Sequence, residues 1–279
     1  MIEVVYSEAM LAPNQGYSPS ASKPAAVVAA WLAQYPQLRV IQPTPVSEVD
    51  FCRAHDPRFV EDIIDLRLPN GFGTYSREVV DSLFHTSSAM LTAARRALET
   101  HQPVAAPCSG FHHAGWDEAR AFCTFNGLMV TALALQSEDP GLTIGILDYD
   151  YHYGDGTDDI LGRLQSRNIV HVTAGAQWQA PQDAVAFLDH IQWDLELMAR
   201  CDVVLYQAGA DPHIDDPLGG FLNSAQMALR DWKVFSGLRS LGIPIAWNLA
   251  GGYQKPMSKV VALHASTMQM CIESLVASD

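Results

Sequence analysis

The sequence predicts an α/β fold: a single domain of three layers, in which helices cover both faces of a central, mostly parallel sheet. Short apolar segments alternate along the chain with longer segments of helical periodicity, a rhythm typical of parallel strands joined by crossover helices. Clusters of polar residues follow several apolar segments, where the carboxyl ends of parallel strands form a ligand-binding crevice. No repeat or polar linker divides residues 1–279, and 48% hydrophobic residues suffice for one sizeable core.

The elements follow from this pattern in chain order. Strands are expected at residues 2–6, 38–41, 103–106, 142–148, 168–173, 202–209 and 243–251. Helices are expected at residues 76–99, 126–137, 182–199, 224–240 and 256–276, with Ser76, Ser224 and Pro256 as start signals. The stretch 11–24, rich in Pro, Ser and Gly, is predicted to be a surface loop.

Composition excludes several classes of function. Seventeen basic and 31 acidic residues give a net charge of −14, which argues against nucleic-acid binding and mildly favours cationic partners. The five cysteines include no C-x-x-C pair, as expected in a reducing cytoplasm. No signal peptide and no membrane-spanning apolar run is recognisable. We therefore expect a cytoplasmic protein without a membrane partner, and an oligomer stays open.

The stretch ILDYDYHYGDGTDDIL, residues 146–161, places several carboxylates directly behind an apolar segment. Asp150 and His152 are two residues apart, so in extended chain both side chains project to the same side and can share a metal ion. The alternative for such an Asp is a turn or capping residue. A calcium loop is excluded, because Tyr153 and Asp159 stand where an EF-hand needs Gly and usually Glu.

Asp211, in GADPHIDDPLGG, follows another apolar segment. Alone it is typical of a helix cap or a turn. If it faces Asp150 and His152, two carboxylates and one imidazole form a metal site with open positions for water and substrate, as in catalytic zinc sites. Ferrous iron and cobalt would also suit this set of oxygen and nitrogen donors.

The adjacent His112 and His113 form a third cluster. A surface pair or a satisfied loop pair is one interpretation. Near a metal, however, one neutral imidazole can take a proton from water and return it to a leaving amine. Asp148 and Asp155 flank the predicted ligands and can fix the tautomers of these histidines, which explains the excess of acids in the stretch.

The last cluster is Gly251-Gly252-Tyr253. Glycines after a strand usually serve a tight turn, and a tyrosine there usually packs. A phenol aimed at the metal would instead stabilise a developing oxyanion.

Taken in order, these clusters resemble the histone deacetylase and acetylpolyamine amidohydrolase family, within the arginase-deacetylase fold. The resemblance covers most of the chain. Its motifs are HDPRFV (55–60), HTSSAM (85–90), GFHHAGWDEARAFCTFN (110–126), ILDYDYHYGDGT (146–157), GADPHIDDPLGG (209–220) and AGGY (250–253).

The resemblance implies a zinc-dependent deacetylase acting on a small acylated amine or an acyl-lysine. Zn²⁺ would be held by Asp150, His152 and Asp211. His113 would be the principal general base and acid, paired with Asp155. His112, paired with Asp148, would be its electrostatic partner.

The resemblance also implies roles around this centre. Tyr253 would polarise the scissile carbonyl, and Phe122 and Leu218 would line the substrate channel. A structural K⁺ would bind near Asp148 and Asp150, with backbone oxygens near His152 and Thr173.

The chain departs from the family pattern at three positions. Phe111 stands between Gly110 and the tandem histidines, Ala121 replaces a Gly before Phe122, and Tyr153 replaces a second histidine after His152. None removes a predicted ligand, but the first two affect the expected shape of the channel.

Two other functions stay open at this stage. An arginase-like ureohydrolase would need further Asp ligands for a second metal, and Gly154 stands where a D-x-H-x-D pattern would have one. A non-catalytic binding protein would not need the intact ligands, histidines and tyrosine.

Overall fold

The computed structural model describes residues 2–14 and 16–276, and the elements given below belong to that part of the chain. Its strands form one sheet in which all neighbours run parallel, in the order β2-β1-β3-β7-β6-β4-β5. The strands are β1 (Glu3–Val5), β2 (Arg39–Ile41), β3 (Val104–Ala106), β4 (Ile144–Asp148), β5 (Ile169–Thr173), β6 (Val203–Gly209) and β7 (Ile245–Ala250).

Helices connect the strands, as parallel pairing requires. They are α1 (Lys23–Gln34), α2 (Glu48–Ala54), α3 (Pro57–Ile64), α4 (Arg77–Thr100), α5 (Gly127–Glu138), α6 (Asp155–Leu164), α7 (Ala184–Met198), α8 (Ser224–Ser240) and α9 (Ser258–Val276). No helix in the described ranges has the length and apolar character needed to cross a bilayer.

Each face of the sheet carries its own apolar core. Successive strand residues point to opposite faces, so Leu205 joins one core and Tyr206 the other. Helices α1, α7, α8 and α9 cover the first face, where Trp31 and Trp247 lie with ring centroids 5.2 Å apart. Helices α2, α4 and α5 cover the second face, which is filled around Phe51 and Phe125. The three-layer α/β architecture predicted from the sequence is therefore confirmed.

All predicted strands and helices are present, with bounds that agree to within two residues. Ser76 caps α4 as predicted, through a bond from the Val79 amide. Helix α8 begins at Ser224 as predicted, but the side chain that caps it is that of Asn223. Pro256 precedes the first residue of α9 by two positions.

The largest error lies in segments predicted to be loops. Helices α1, α2, α3 and α6 were not predicted, and α1 begins inside the stretch 11–24. Within that stretch residue 15 lies outside the described ranges, Ser18 is 1% exposed and Lys23 is fully buried, so the expectation of a surface loop is wrong at these two residues.

Candidate active site

Four loops that leave the carboxyl ends of neighbouring strands build one cleft. They follow β3, β7, β6 and β4, which lie side by side in the sheet. Side chains at the cleft include His112, His113, Asp150, His152 and Tyr253. The predicted clusters, which run from His112 to Tyr253 in the sequence, thus meet at the edge where α/β sheets bind ligands.

The three predicted metal ligands lie together. Suitable donor atoms of Asp150, His152 and Asp211 are all within 4.8 Å of one another, the one such group of three among the described residues. The Nδ1 atom of His152 lies 3.2 Å from Asp150 Oδ1 and 3.0 Å from Asp211 Oδ2. Backbone amides orient the carboxylates, since Tyr151 N donates to Asp211 Oδ1 and His152 N donates to Asp150 Oδ1.

The electrostatics of this group fit a divalent cation. Asp150 and Asp211 are 3% and 0% exposed, and two buried carboxylates side by side are costly without a positive charge between them. Burial, together with the negative charge of Asp150, raises the pKa of Asp211 to about 7. Burial lowers the pKa of His152, but its bonds to the two carboxylates outweigh this and raise the value to about 11. His152 Nδ1 and the two carboxylates together form a group that could hold a metal ion.

The tandem histidines face the same cleft, and each is bonded to its own carboxylate. His112 Nδ1 lies 2.6 Å from Asp148 Oδ2, and His113 Nδ1 lies 2.8 Å from Asp155 Oδ1. These contacts place a proton on Nδ1 and leave Nε2 of each ring directed elsewhere. His112 Nε2 lies 3.6 Å from Asp150 Oδ1.

The two imidazoles differ in their environments. Burial lowers the pKa of His112, but the charges of Asp148 and Asp150 outweigh it and raise the value to about 9. Burial and the neighbouring charge of His112 lower the pKa of His113, against the opposing effect of Asp155. Near neutral pH these environments favour the protonated form of His112 and the neutral form of His113.

Tyr253 also lines the cleft. Burial, with the negative charges of Asp211 and Asp150, raises the pKa of its phenol, so that the hydroxyl remains a donor. Its backbone amide donates to Asp216 Oδ2 at 2.7 Å. Asp216 is 5% exposed. The sequence does not point to this bond, because the residue stands in an acidic turn typical of a solvated loop.

The turn before Tyr253 is held by a lysine side chain that the sequence did not point to. The ammonium of Lys23 is completely buried and donates to the carbonyl of Gly251 at 2.5 Å. Burial lowers the pKa of Lys23 to about 8, although the charges of Asp211 and Asp150 oppose this. Gly251 itself leaves no room for a side chain, since a Cβ there would lie 2.1 Å from the carboxylate carbon of Asp211.

Gln207, also not predicted, links two parts of the site. From the middle of the sheet, its Nε2 donates to Asp148 Oδ1 at 2.9 Å and its Oε1 accepts from Phe111 N at 3.1 Å. The residue is fully buried in β6. A single polar residue inside the apolar segment VVLYQAG was the available signal.

The two predicted channel residues differ in position. Phe122 lines the cleft, with its ring centroid 5.8 Å from that of Tyr253. Leu218 is 39% exposed and is not among the described residues that line this cleft, so its assignment to the channel stays a prediction.

The residues predicted to surround a potassium ion also lie next to one another. The register of β4 and β5 pairs Asp148 with Thr173, and Gly154 N donates to Thr173 Oγ1 at 3.1 Å. His152 and Gly175 are in close backbone contact, because a Cβ on Gly175 would lie 2.3 Å from the His152 carbonyl oxygen. Potassium binding there remains a prediction.

Several known proteins are similar to this chain. Residues 19–177 match the family model described as "Histone deacetylase domain". An uncharacterized protein of Picosynechococcus is 26% identical over 208 residues, covering 68% of this chain and 69% of the relative. Acetylpolyamine amidohydrolase 1 of Pseudomonas aeruginosa is 23% identical over 218 residues, covering 68% and 60%. Histone deacetylase 18 of Arabidopsis thaliana is 30% identical over 145 residues, but this match spans only 21% of its length.

The fold is shared with a solved structure. An acetylpolyamine aminohydrolase from Burkholderia pseudomallei matches with a TM-score of 0.75 at 17% identity, covering 98% of both chains. This match confirms the arginase-deacetylase fold that the sequence motifs implied. With a family model matched over more than half of its length, this chain belongs to the histone deacetylase family.

Proposed function

We propose that the chain is one catalytic domain that hydrolyses N-acyl amides, releasing an amine and a carboxylate. The observation that carries the proposal is the meeting, in one cleft, of a buried Asp-His-Asp group, two differently tuned His–Asp pairs and a protonated phenol. Hydrolysis of an amide needs an activated carbonyl, an activated water and a proton for the leaving nitrogen. The cleft offers groups suited to all three.

Asp150, His152 and Asp211 would hold the metal, for which zinc is our first choice and ferrous iron or cobalt fit the same donors. When bound, the ion would polarise the carbonyl and lower the pKa of water. K⁺ near Asp148 and Thr173 would have a structural role.

His113 would act as general base and acid. Its low pKa keeps it neutral, so its free Nε2 can take a proton from the attacking water and pass it to the amine nitrogen as the C–N bond breaks. Asp155 would hold the ring in this tautomer. His112, kept cationic by Asp148 and Asp150, would stabilise the negative charge that develops on the attacked carbonyl.

Tyr253 would donate its hydroxyl proton in a hydrogen bond to the carbonyl oxygen. The donor is preserved because the pKa of the phenol is raised. Lys23 and Asp216 would keep the Tyr253 turn in place through the Gly251 carbonyl and the Tyr253 amide.

The substrate would be a small acylated amine or an acyl-lysine. The net charge of −14 supports a cationic amine by attracting it to the protein. All five cysteines are unpaired, which supports a reducing cytoplasm as the site of action.

The proposal is tested with zinc-loaded protein and a panel of acetylated lysine peptides, acetylpolyamines and longer acyl amides. We expect metal-dependent release of amine from part of this panel. Elemental analysis of the wild type and of Asp150→Ala and Asp211→Ala should show metal only in the wild type. Wild-type protein that stays active after complete metal removal would refute the mechanism, and urea release from a guanidino substrate would favour the arginase-like alternative.

A further inference from the structure

One buried arginine bonds to the backbone that carries the predicted metal ligands. Arg230, on helix α8, is fully buried. Its Nη1 donates to the carbonyl oxygen of Tyr149 at 3.1 Å and to that of Gly209 at 2.8 Å. Among the described residues, no other side chain donates to either carbonyl. Neither the sequence motifs nor the proposed reaction gives this arginine a role.

The two carbonyls lie at the ends of neighbouring strands. Tyr149 follows β4 and directly precedes Asp150, and Gly209, the last residue of β6, stands two positions before Asp211. Strands β4 and β6 are adjacent in the sheet. The guanidinium of Arg230 therefore joins the two pieces of backbone from which the acidic ligands project.

Strand pairing ends just before this point. The register of β4 and β6 stops at Asp148 and Gln207, and the Tyr149 amide adds one further bond, to Gln207 O at 3.1 Å. The chain after β4 then leaves strand conformation. In the part of the chain that the structure describes, Arg230 is the one hydrogen-bond donor to Tyr149 O. Without it, a buried carbonyl beside the metal site would be unpaired, which is costly.

The backbone of Gly209 is in close contact with both acidic ligands. A Cβ at this position would lie 2.6 Å from Asp150 Cα and 3.0 Å from Asp211 Oδ1. Any movement of Gly209 would therefore displace one ligand or the other. Because a metal site must be held to within about 0.5 Å, a residue that fixes Gly209 also fixes the site.

The guanidinium is itself firmly held. Its Nε and Nη2 lie 2.8 Å from Asp231 Oδ1. Asp231, 1% exposed, also accepts from Tyr206 Oη of β6 at 2.5 Å and from Thr267 Oγ1 of α9 at 2.6 Å. Since the donors of a guanidinium form a rigid planar fork, the bonds to Asp231 set the direction of Nη1.

Stability alone does not account for a full charge at this place, because apolar residues of similar volume are often as stable as a buried ion pair. The bonds of Nη1 to the two strand ends do account for it. We propose that Arg230 is a positioning residue for the metal centre: it fixes the spacing of the ends of β4 and β6, and with it the geometry of Asp150 and Asp211. The inference rests on the proposed function, whose metal these two residues would hold.

The test compares metal binding by the wild type and by the double variant Arg230→Met/Asp231→Asn. The double change leaves neither charge buried alone, and Asn can still bond to Tyr206 and Thr267. Zinc affinity is measured by competition with a chromophoric chelator, and the visible spectrum of cobalt-loaded protein reports the ligand geometry. Urea unfolding without metal shows which proteins are folded.

The double variant should bind zinc about 10- to 100-fold more weakly, the usual effect of losing a group that orients metal ligands. Its cobalt spectrum should also change. At saturating zinc, kcat should fall while KM changes little, because Arg230 lies outside the cleft. Arg230→Lys keeps the charge but loses the fork, so its zinc affinity should lie between those of the wild type and the double variant.

Arg239→Met is the matched control. Arg239 lies on the same helix and also donates through Nη1 to a backbone carbonyl, but this carbonyl is that of Ser274 in α9 and not that of a strand carrying a ligand. The control should match the wild type in zinc affinity and cobalt spectrum.

Wild-type zinc affinity and an unchanged cobalt spectrum in the folded double variant would overturn the inference and leave the proposed function intact. Should the double variant fold poorly, the same result for Arg230→Lys would overturn it. Equal weakening in Arg239→Met would also do so, because the effect would then come from a general loss of stability. A wild type that binds no divalent metal would instead overturn the proposed function.

Discussion

His112 and His113 lie with ring centroids 4.1 Å apart, yet their Nδ1 atoms donate to different carboxylates, Asp148 and Asp155. Neighbouring imidazoles at this distance cannot both be protonated cheaply. Two buried carboxylates raise the pKa of the deeper ring, His112, whereas burial and the charge of His112 lower the pKa of the more exposed ring, His113. Titratable groups whose pKa values are pushed apart are typical of sites that need both a base and a fixed charge.

Replacement of His113 by Ala should retain the metal but lower kcat/KM by about 10² to 10⁴, the usual contribution of a positioned base. His112→Ala should cost less, because it removes a charge and leaves the base in place. Steady-state kinetics with measured metal content checks both variants. A larger loss for His112→Ala would reverse the two roles.

Tyr253→Phe should lower kcat by roughly 10² to 10³, as typical for loss of one oxyanion donor, and should leave KM nearly unchanged. The ring contacts with Phe122 and Tyr17 survive in this variant, so only the hydroxyl is tested. Unchanged turnover would mean that Tyr253 only packs.

Gly251→Ala should weaken metal binding by at least about tenfold, because the new methyl group displaces the Asp211 carboxylate. Gly242→Ala is the matched control: its φ of 72° imposes similar backbone strain, but no atom lies within 4 Å of the added Cβ. Both variants should lose about 1 kcal/mol of stability from the left-handed backbone. Metal titration should separate them, and equal affinities would contradict the contact with Asp211.

Acid should destabilise the fold through His55. This fully buried ring contacts Gly115 O through Nδ1 at 2.8 Å and accepts from Asn126 N at Nε2, and burial lowers its pKa to about 4. In the unfolded chain the pKa is near 6.5, so the unfolded state binds the proton first. The stability is complete above about pH 6.5 and is lost as pH falls toward 4, by up to about 3 kcal/mol.

Urea unfolding of the wild type and of His55→Gln between these pH values checks this expectation. In the variant the unfolding free energy should fall less steeply as the pH is lowered, because about one fewer proton is taken up on unfolding. Identical slopes would show that other groups dominate the acid response.

Ala121→Gly should raise the free energy of unfolding by up to about 1 kcal/mol, since glycine adopts the left-handed backbone without a steric penalty. Ala121 departs from the family pattern in composition but keeps a conformation that suits glycine. Thermal and urea denaturation of both proteins measures the change. A lower free energy of unfolding would mean that packing of the Ala121 methyl group contributes more stability than the backbone strain costs.

The strands and longer helices were predictable because their signals are local: apolar runs, helical periodicity and start signals such as Ser76. The missed helices are short or carry mixed signals. Helices α2 and α3 have only seven and eight residues, and α6, DGTDDILGRL, contains two glycines and an acidic cluster typical of a loop. Their helical state depends on caps, such as Asp56 before α3, and on packing against the rest of the fold.

Some residues of the site could likewise be predicted from the sequence, and others could not. Motif residues that follow strands could be grouped because parallel strands end at a common edge. Lys23 could not, because a lysine near the end of a Pro- and Ser-rich segment gives no sign of a bond to Gly251, 228 residues away. The difference in pKa between His112 and His113 likewise depends on burial, and burial is known only once the chain is folded.

A Cβ on Gly127 would lie 2.6 Å from the ring of Phe111, so their fit couples two positions that are 16 apart in sequence and belong to different elements. A larger residue at 127 is accommodated only if residue 111 becomes smaller, so the two positions would have to change together during divergence. For an engineer, the two positions form one unit: a substitution at either of them needs a compensating change of size at the other, even though neither holds the metal ligands or the histidines.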